Sequence, residues 1–226
     1  IFKDFLPGAQ TTLVDNVDAA AAYDFWIPRG TIVTTLTVAI GVGMVPAMAI
    51  FPVLRKKFSL KQIYIGSALF GMVVHALCYL VMAHDVTKAN IYVLWVFLFL
   101  MGLPLGIYNV ITYALIADAV DYLEWKTGER AEGICFAMQT LINKIGMAVG
   151  AFVGVFSYSW AGINPEATPA ITPDGRQLLW NVLILTGAIS MAATIIPMLF
   201  YNITEKKQQQ MVAEIAERSN SKGSEK

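Results

Sequence analysis

The 226-residue chain is 57% hydrophobic and only 14% charged, and its sixteen cations balance its sixteen anions. Soluble domains carry about a quarter charged residues, so this composition excludes an ordinary soluble fold. With no net charge to present, the chain is expected to have no nucleic-acid partner.

In chain order, residues 1–29 mix Asp4, Asp15, Asp18 and Asp24 with Pro7 and Gly8. They read as an external loop that follows a helix lying outside this chain. The chain opens on Ile1, with no basic leader and no small-residue cleavage site, which reads as a fragment. Charge then vanishes for long stretches. None occurs from Gly30 to Leu54, Gln62 to His84, Ala89 to Ala117 or Gln177 to Thr204, and Gly133 to Pro165 contains only Lys144. Each run exceeds the ~20 residues a helix needs to cross the ~30 Å hydrocarbon layer. A β-barrel would alternate apolar and polar residues, whereas these runs are apolar on all sides. In lipid, such a run satisfies its backbone groups internally only as a helix. The expected fold is therefore an all-α membrane protein with a transmembrane bundle over 30–201. Its helices are placed at about 30–54, 62–83, 90–120, 132–158 and 177–201.

The first helix carries Gly41, Gly43, Pro46 and Pro52, which bend a helix and pack it closely on neighbours. His75 in the second reads best as a hydrogen-bonded packing residue, although imidazole titrates near neutral pH. In the third, Pro104 loosens the backbone, and Tyr108 and Asn109 could offer a ring face and an amide to a ligand. Core packing of Tyr108 is an equal alternative. Cys78 and Cys135 lie in or beside different apolar runs and suggest packing, not a disulfide or metal site. The loop from Ala161 to Gln177 has three prolines and no apolar periodicity, which makes it external. The tail, 202–226, opens as a short amphipathic helix with Met211, Val212 and Ile215 on one side and ends in a polar, disordered segment.

Cations concentrate in "RKKFSLK" (Arg55 to Lys61), in Lys126 and Arg130, and in Lys206 and Lys207. By the positive-inside rule these parts face the cytoplasm, so the N-terminal segment is external and the C-terminus cytoplasmic, in a cell membrane (inner or plasma) crossed several times.

Lys144 lies 11 residues beyond Gly133, or ~16 Å along a helix, close to the bilayer midplane. An ammonium there costs about 2.5–3.5 kcal/mol even on insertion scales, so it calls for a polar cavity or a carboxylate. Gln139, Thr140 and Asn143 share a broad face with it, at relative angles of about 0°, 100° and 40° against 140° for Lys144. Amides, a hydroxyl and an ammonium can satisfy sugar hydroxyls, and can equally hydrogen-bond neighbouring helices. Gly146, Gly150 and Gly154 recur every fourth residue, as in a helix-packing groove.

Between the third and fourth runs, "ADAVDYLEWKTGERAEG" packs seven charged residues into seventeen positions. Asp118, Asp121 and Glu124, spaced by three, fall near one face of a continuing helix, and a turn at Gly128 returns Arg130 towards them. Exposed ion pairs in a solvated loop and a gating latch that breaks on opening explain the cluster equally well.

The stretch from Ala117 to Ala148 resembles the signature of the melibiose-permease-like glycoside–pentoside–hexuronide:cation symporters of the major facilitator superfamily. The resemblance rests on D-x-x-D-Y-x-E-W-K-T-G-x-R followed by a helix with Gln139, Thr140 and Lys144. It implies a twelve-helix transporter whose helices eight to twelve are present here. It also implies that Lys144, Gln139, Thr140 and Asn143 line the central cavity, and that Asp118, Asp121 and Arg130 belong to a cytoplasmic charge network. Where the family carries an aromatic residue on its tenth helix, this chain has Asn109 beside Tyr108, which leaves the sugar open. The expected partners are a sugar or glycoside, a coupling cation (Na+, Li+ or H+), the lipid bilayer and the N-terminal half. The cation site is expected mainly in that half, with no cofactor and no metal centre in this one. An enzyme is not expected, since no H-E-x-x-H or G-x-S-x-G occurs in the apolar runs. A symporter of another amphiphilic solute, such as a lysolipid, and a passive membrane scaffold are the alternatives.

Overall fold

A computed structural model describes residues 29–82, 91–163 and 172–224. The expected external segment before residue 29 and most of the loop after Ala161 lie outside the described residues. Six helices occur among those described: α1 Arg29–Arg55, α2 Leu60–Met82, α3 Ile91–Thr127, α4 Glu132–Trp160, α5 Pro173–Phe200 and α6 Glu205–Ser224. The first five are long and apolar enough to cross a membrane.

The helix ends follow local chemistry. Ser59 and Gln62 form a reciprocal capping box at the start of α2, with Ser59 N donating to Gln62 Oε1 at 3.0 Å and Gln62 N to Ser59 Oγ at 3.3 Å. Thr172 caps α5 by accepting from Gly175 N at 3.1 Å, and Pro173 takes the first-turn position where no amide hydrogen is needed. Gly128, at φ +78°, ends α3 in the left-handed conformation that side chains resist.

At 37 residues, α3 extends ~55 Å, well beyond the ~30 Å hydrocarbon layer. The continuing helix expected beyond the span at about 90–120 is present, because nothing from Ala117 to Thr127 breaks it. The charge there marks where lipid stops and leaves the helix intact. The tail helix α6 likewise runs to Ser224, through the segment expected to be disordered.

The bundle is built around α3. Both α1 and α2 pack along it, scarcely touching each other, and α2 packs in turn on α5. The α1–α3 contact is backbone against backbone. A Cβ on Gly43 would lie 2.1 Å from Phe99 O, one on Gly102 2.3 Å from Ile40 O, and one on Gly106 2.4 Å from Met44 O. Two apolar clusters flank this seam. One joins Ala47, Phe51, Ile63, Ile107 and Ile111 near the basic end; the other joins Val74, Cys78, Leu94, Met101, Trp180 and Ile184 towards the opposite end. Cys78 is buried within the second, as a packing residue would be. His75 also packs: its Nδ1 lies 2.7 Å from Gly71 O, and Gly187 of α5 sits directly against the ring.

Helix α4 differs from the rest. It touches α3 and α5 only lightly, and Ser157 is its one buried residue. Gly146, Gly150 and Gly154 meet no neighbour among the described residues, so the groove they form has nothing in it here.

The glycine seam gives a direct test. Gly102→Val is expected to cost about 1–3 kcal/mol or more, as overpacking of a tight contact does. Gly41→Val, on the same pair of helices but opening onto free space, is expected to leave thermal unfolding in detergent nearly unchanged.

Candidate functional site

The polar quartet of α4 is assembled by helical periodicity alone. Lys144 lies two residues before Gly146, the midpoint of α4, so it stands near the centre of a membrane-spanning helix. Gln139 is half-buried towards the bundle, whereas Thr140, Asn143 and Lys144 are exposed. Thr140 Oγ1 donates to Phe136 O at 2.9 Å, which leaves its oxygen to accept from a ligand. Lys144 pairs with no carboxylate among the described residues. The face can therefore present an ammonium, two amides and a hydroxyl acceptor to whatever lies opposite.

Tyr108 stands apart from this set. Its ring packs against Tyr64 of α2, with centroids 4.8 Å apart at 49°. Its hydroxyl is buried beside Thr194 without a partner in hydrogen-bonding geometry. Asn109 is exposed, and its amide donates to Leu105 O at 3.0 Å. The structure thus gathers Gln139, Thr140, Asn143 and Lys144 on one helix and places Tyr108 in a tyrosine pair within the packed bundle.

The charged end of α3 separates into two clusters. In the first, Arg130 folds back over the Gly128 turn. Its Nη1 lies 2.9 Å from Glu124 Oε2 and 3.8 Å from Asp121 Oδ1, and its Nη2 lies 2.5 Å from Glu132 Oε1. The guanidinium is about half exposed, so each of these pairs is worth little by itself. In the second, Asp118 is buried, at 5% exposure. It accepts from Tyr201 OH at 2.5 Å and from Gln208 Nε2 at 2.8 Å. Burial raises the Tyr201 phenol above its usual range, and the hydrogen bond and charge of Asp118 raise it further, so tyrosine stays the donor. Beside them Arg55 pairs with Glu205. Lys61 Nζ donates to Leu199 O and Tyr201 O, both at 3.1 Å, satisfying carbonyls left open at the end of α5. These groups enclose a polar pocket of about 480 Å³.

Helix α6 straps this second cluster to the α3 extension. Met211 is buried, Lys207 Nζ lies 5.5 Å from the centroid of the Tyr122 ring, and Trp125 Nε1 donates to Glu214 Oε2 at 2.6 Å. Arg218 Nη1 donates to Trp125 O at 2.9 Å. The spacing of 207, 211, 214 and 218 is one helical stripe along the α3 extension, while Glu205 and Gln208 in the first turn reach Arg55 and Asp118. Sequence reasoning missed Arg55, Lys61, Tyr201, Glu205 and Gln208 as partners of the cluster. Only the basic run at Arg55–Lys61 gave any signal, and it was read as a topology marker. Among the described residues no group of three His, Cys, Asp or Glu is gathered for a metal.

Comparison with known proteins gives the following. Residues 22–205 match the family model described as MFS/sugar transport protein. A putative sulfoquinovose importer of Escherichia coli (strain K12) is 30% identical over 185 residues, covering 81% of this chain and 36% of that protein. A glucuronide carrier protein homolog of the same organism is 26% identical over 218 residues, covering 93% of this chain and 46% of the relative. A raffinose carrier protein of Pediococcus pentosaceus is 26% identical over 172 residues, covering 75% and 26%. The chain thus spans less than half the length of each of these relatives. No solved structure matches significantly.

Asp118→Ala leaves the Tyr201 hydroxyl and the Gln208 amide without their acceptor, at a cost of about 1–3 kcal/mol. The expected outcome is at least about fivefold faster amide hydrogen exchange across 205–218, since 1 kcal/mol corresponds to roughly that factor. Exchange in α1 and α2 is expected to change far less.

Proposed function

We propose that this chain, which belongs to the MFS/sugar transport protein family, forms the C-terminal lobe of a multi-pass, cation-coupled glycoside symporter. The observation that carries this reading is Lys144: an ammonium exposed near the middle of an apolar helix, with no carboxylate among the described residues to neutralise it. Left against acyl chains it would cost about 2.5–3.5 kcal/mol or more. Set against a water-filled cavity it costs little and can hold substrate oxygens. The light packing of α4 and the share of its relatives that the chain spans both support a second lobe facing this helix.

In this reading sugar binds near midplane between the lobes, contacted by Lys144, Asn143, Thr140 and Gln139, with Asn109 available from α3. The basic end lies in the cytoplasm and the N-terminal segment outside, as the cation distribution favours. Rocking of one lobe against the other opens the cavity to each side in turn. A sodium, lithium or hydrogen ion, held mainly by the other lobe, favours the conformation that also binds sugar, and that linkage couples the two fluxes. The Arg130 cluster acts as the latch: its pairs are individually weak and exposed, so they can break and reform within a transport cycle. No step calls for an enzyme's catalytic group.

A second, narrower reading concerns substrate charge. Two relatives take their names from a sulfonated and a carboxylated sugar. An ammonium without a carboxylate partner among the described residues suits an acidic glycoside, which would supply the opposite charge.

In the full-length transporter, Lys144→Leu is expected to fold and insert but to lose sugar accumulation in vesicles under sodium or proton gradients. Normal accumulation by that variant would remove the residue from the transport path. Lys144→Gln is expected to raise the KM for an acidic glycoside more than for a neutral one, and equal effects would exclude the narrower reading. Arg130→Ala is expected to slow uptake more than it weakens sugar binding, as a latch requires.

A further inference from the structure

A groove of about 500 Å³ runs between α1 and α2 and has α3 as its floor. It exists because α1 and α2 each pack on α3 and scarcely touch each other. Pro46, Ile50 and Leu54 form one wall, Gly66 and Phe70 the other, and Leu103 lies beneath. Neither the α4 quartet nor the Asp118 cluster contributes to it. Its only polar side chains are Ser67 and Gln62, and Gln62 is held in the α2 cap. Ile50, Phe58 and Phe70 on its rim are exposed.

The dimensions fit one leaflet. The walls run from Leu54 to Pro46 on α1 and from Gln62 to Phe70 on α2. Eight residues of helix rise ~12 Å, against ~15 Å for half of a typical hydrocarbon layer. The groove therefore starts at the basic end of the bundle and stops close to the midplane. The mouth carries positive charge. Leu54 and Phe58 line the groove and bracket Arg55, Lys56 and Lys57. The turn is fixed by Lys57 N and Phe58 N donating to Leu54 O at 3.0 and 2.9 Å. Arg55 is engaged by Glu205 and Lys61 by the α5 carbonyls, whereas Lys56 and Lys57 are exposed and pair with no carboxylate among the described residues.

We propose that this groove seats one anionic phospholipid of the leaflet at the basic end, its acyl chain lying between α1 and α2 and its headgroup held by Lys56 and Lys57. An apolar channel one leaflet deep, with two exposed lysines between its lining residues Leu54 and Phe58 and no carboxylate paired to them among the described residues, complements a molecule with a hydrocarbon chain at one end and a negative charge at the other. A purely apolar protein segment filling the groove would leave both lysines without counter-ions. Each lysine near an anionic headgroup is worth roughly a fivefold preference over a zwitterionic one. Gly66 keeps the wall open: a Cβ there would meet nothing within 4 Å, so a larger residue occupies the groove without displacing a helix. The proposal needs the membrane position of α1 and α2 and is independent of which solute is transported.

The test uses the full-length transporter in phosphatidylcholine nanodiscs doped with phosphatidylglycerol or phosphatidylcholine carrying a diazirine on the acyl chain. After irradiation, mass spectrometry locates adducts. Phosphatidylglycerol is expected to label 46–54 and 62–70 several-fold more than phosphatidylcholine does. Lys56→Gln with Lys57→Gln should lower the phosphatidylglycerol labelling by about fivefold or more and leave the phosphatidylcholine labelling unchanged. Gly66→Leu should lower labelling by both probes, and it retains both lysines should their removal impair insertion. Equal labelling of the unsubstituted protein by the two probes would mean ordinary boundary lipid and overturn the proposal. Absence of labelling in protein that still transports would show the groove covered by the transporter itself, and would overturn it equally. Labelling requires no sugar, so unchanged adducts in a Lys144→Leu variant that has lost uptake would separate this site from the transport reading.

Discussion

The backbones of α1 and α3 lie in direct contact through Gly43, Gly102 and Gly106, and every other placement in the bundle follows from that seam. Within a membrane no hydrophobic driving force holds helices together, because lipid tails are as apolar as leucine. Close packing must supply the attraction, and the seam permits it by removing side chains where the two helices meet. With α1 fixed along α3, α2 packs beside it on the same helix and α5 packs on α2. The cleft between α1 and α2 is the geometric remainder of this arrangement. So is the position of α3 as the central mast, whose extension carries Asp118 and the Arg130 turn beyond the lipid.

The protein divides its polar groups between two settings. At the basic end, carboxylates and cations find one another over long sequence separations and are tied by α6. Near the middle of α4, Thr140, Asn143 and Lys144 are exposed and the ammonium has no carboxylate among the described residues. The first setting contributes cohesion between elements. The second carries a free-energy penalty that an aqueous, ligand-filled or carboxylate-bearing neighbour removes. That contrast separates residues that hold the bundle together from those that face outward from it.

Much of the fold was legible because a membrane imposes a coarse rule. Runs with at most one charge marked all five spans, and the turn at Gly128 marked an end that the structure realises. Hydropathy failed where it measures lipid contact instead of helicity. It set the span of α3 at about 90–120, beyond which the continuing helix runs on through Glu124 and Lys126, both sound helix formers, and it assigned disorder to the end of a tail whose amphipathic helix runs on to Ser224. The α4 quartet was legible from 3.6-residue periodicity, which is local. Asp118 was legible as part of a charge cluster, but its partners were not. Tyr201 and Gln208 lie 83 and 90 positions away, and no spacing rule reaches that far. The Tyr64–Tyr108 pair was hidden for the same reason, which is why Tyr108 could be read equally as a ligand platform and as core.

The α1–α2 turn is stitched to the α5–α6 turn by Arg55 on Glu205 and by Lys61 on the carbonyls of Leu199 and Tyr201. Mechanically this closes a ring at one rim, so torque on α1 is shared with α5 and with the tail. A fluorophore at the tip of α6 would therefore register tilting of the first span from a point remote from Lys144. The chain's last helix is in that sense a lever with its fulcrum at Asp118.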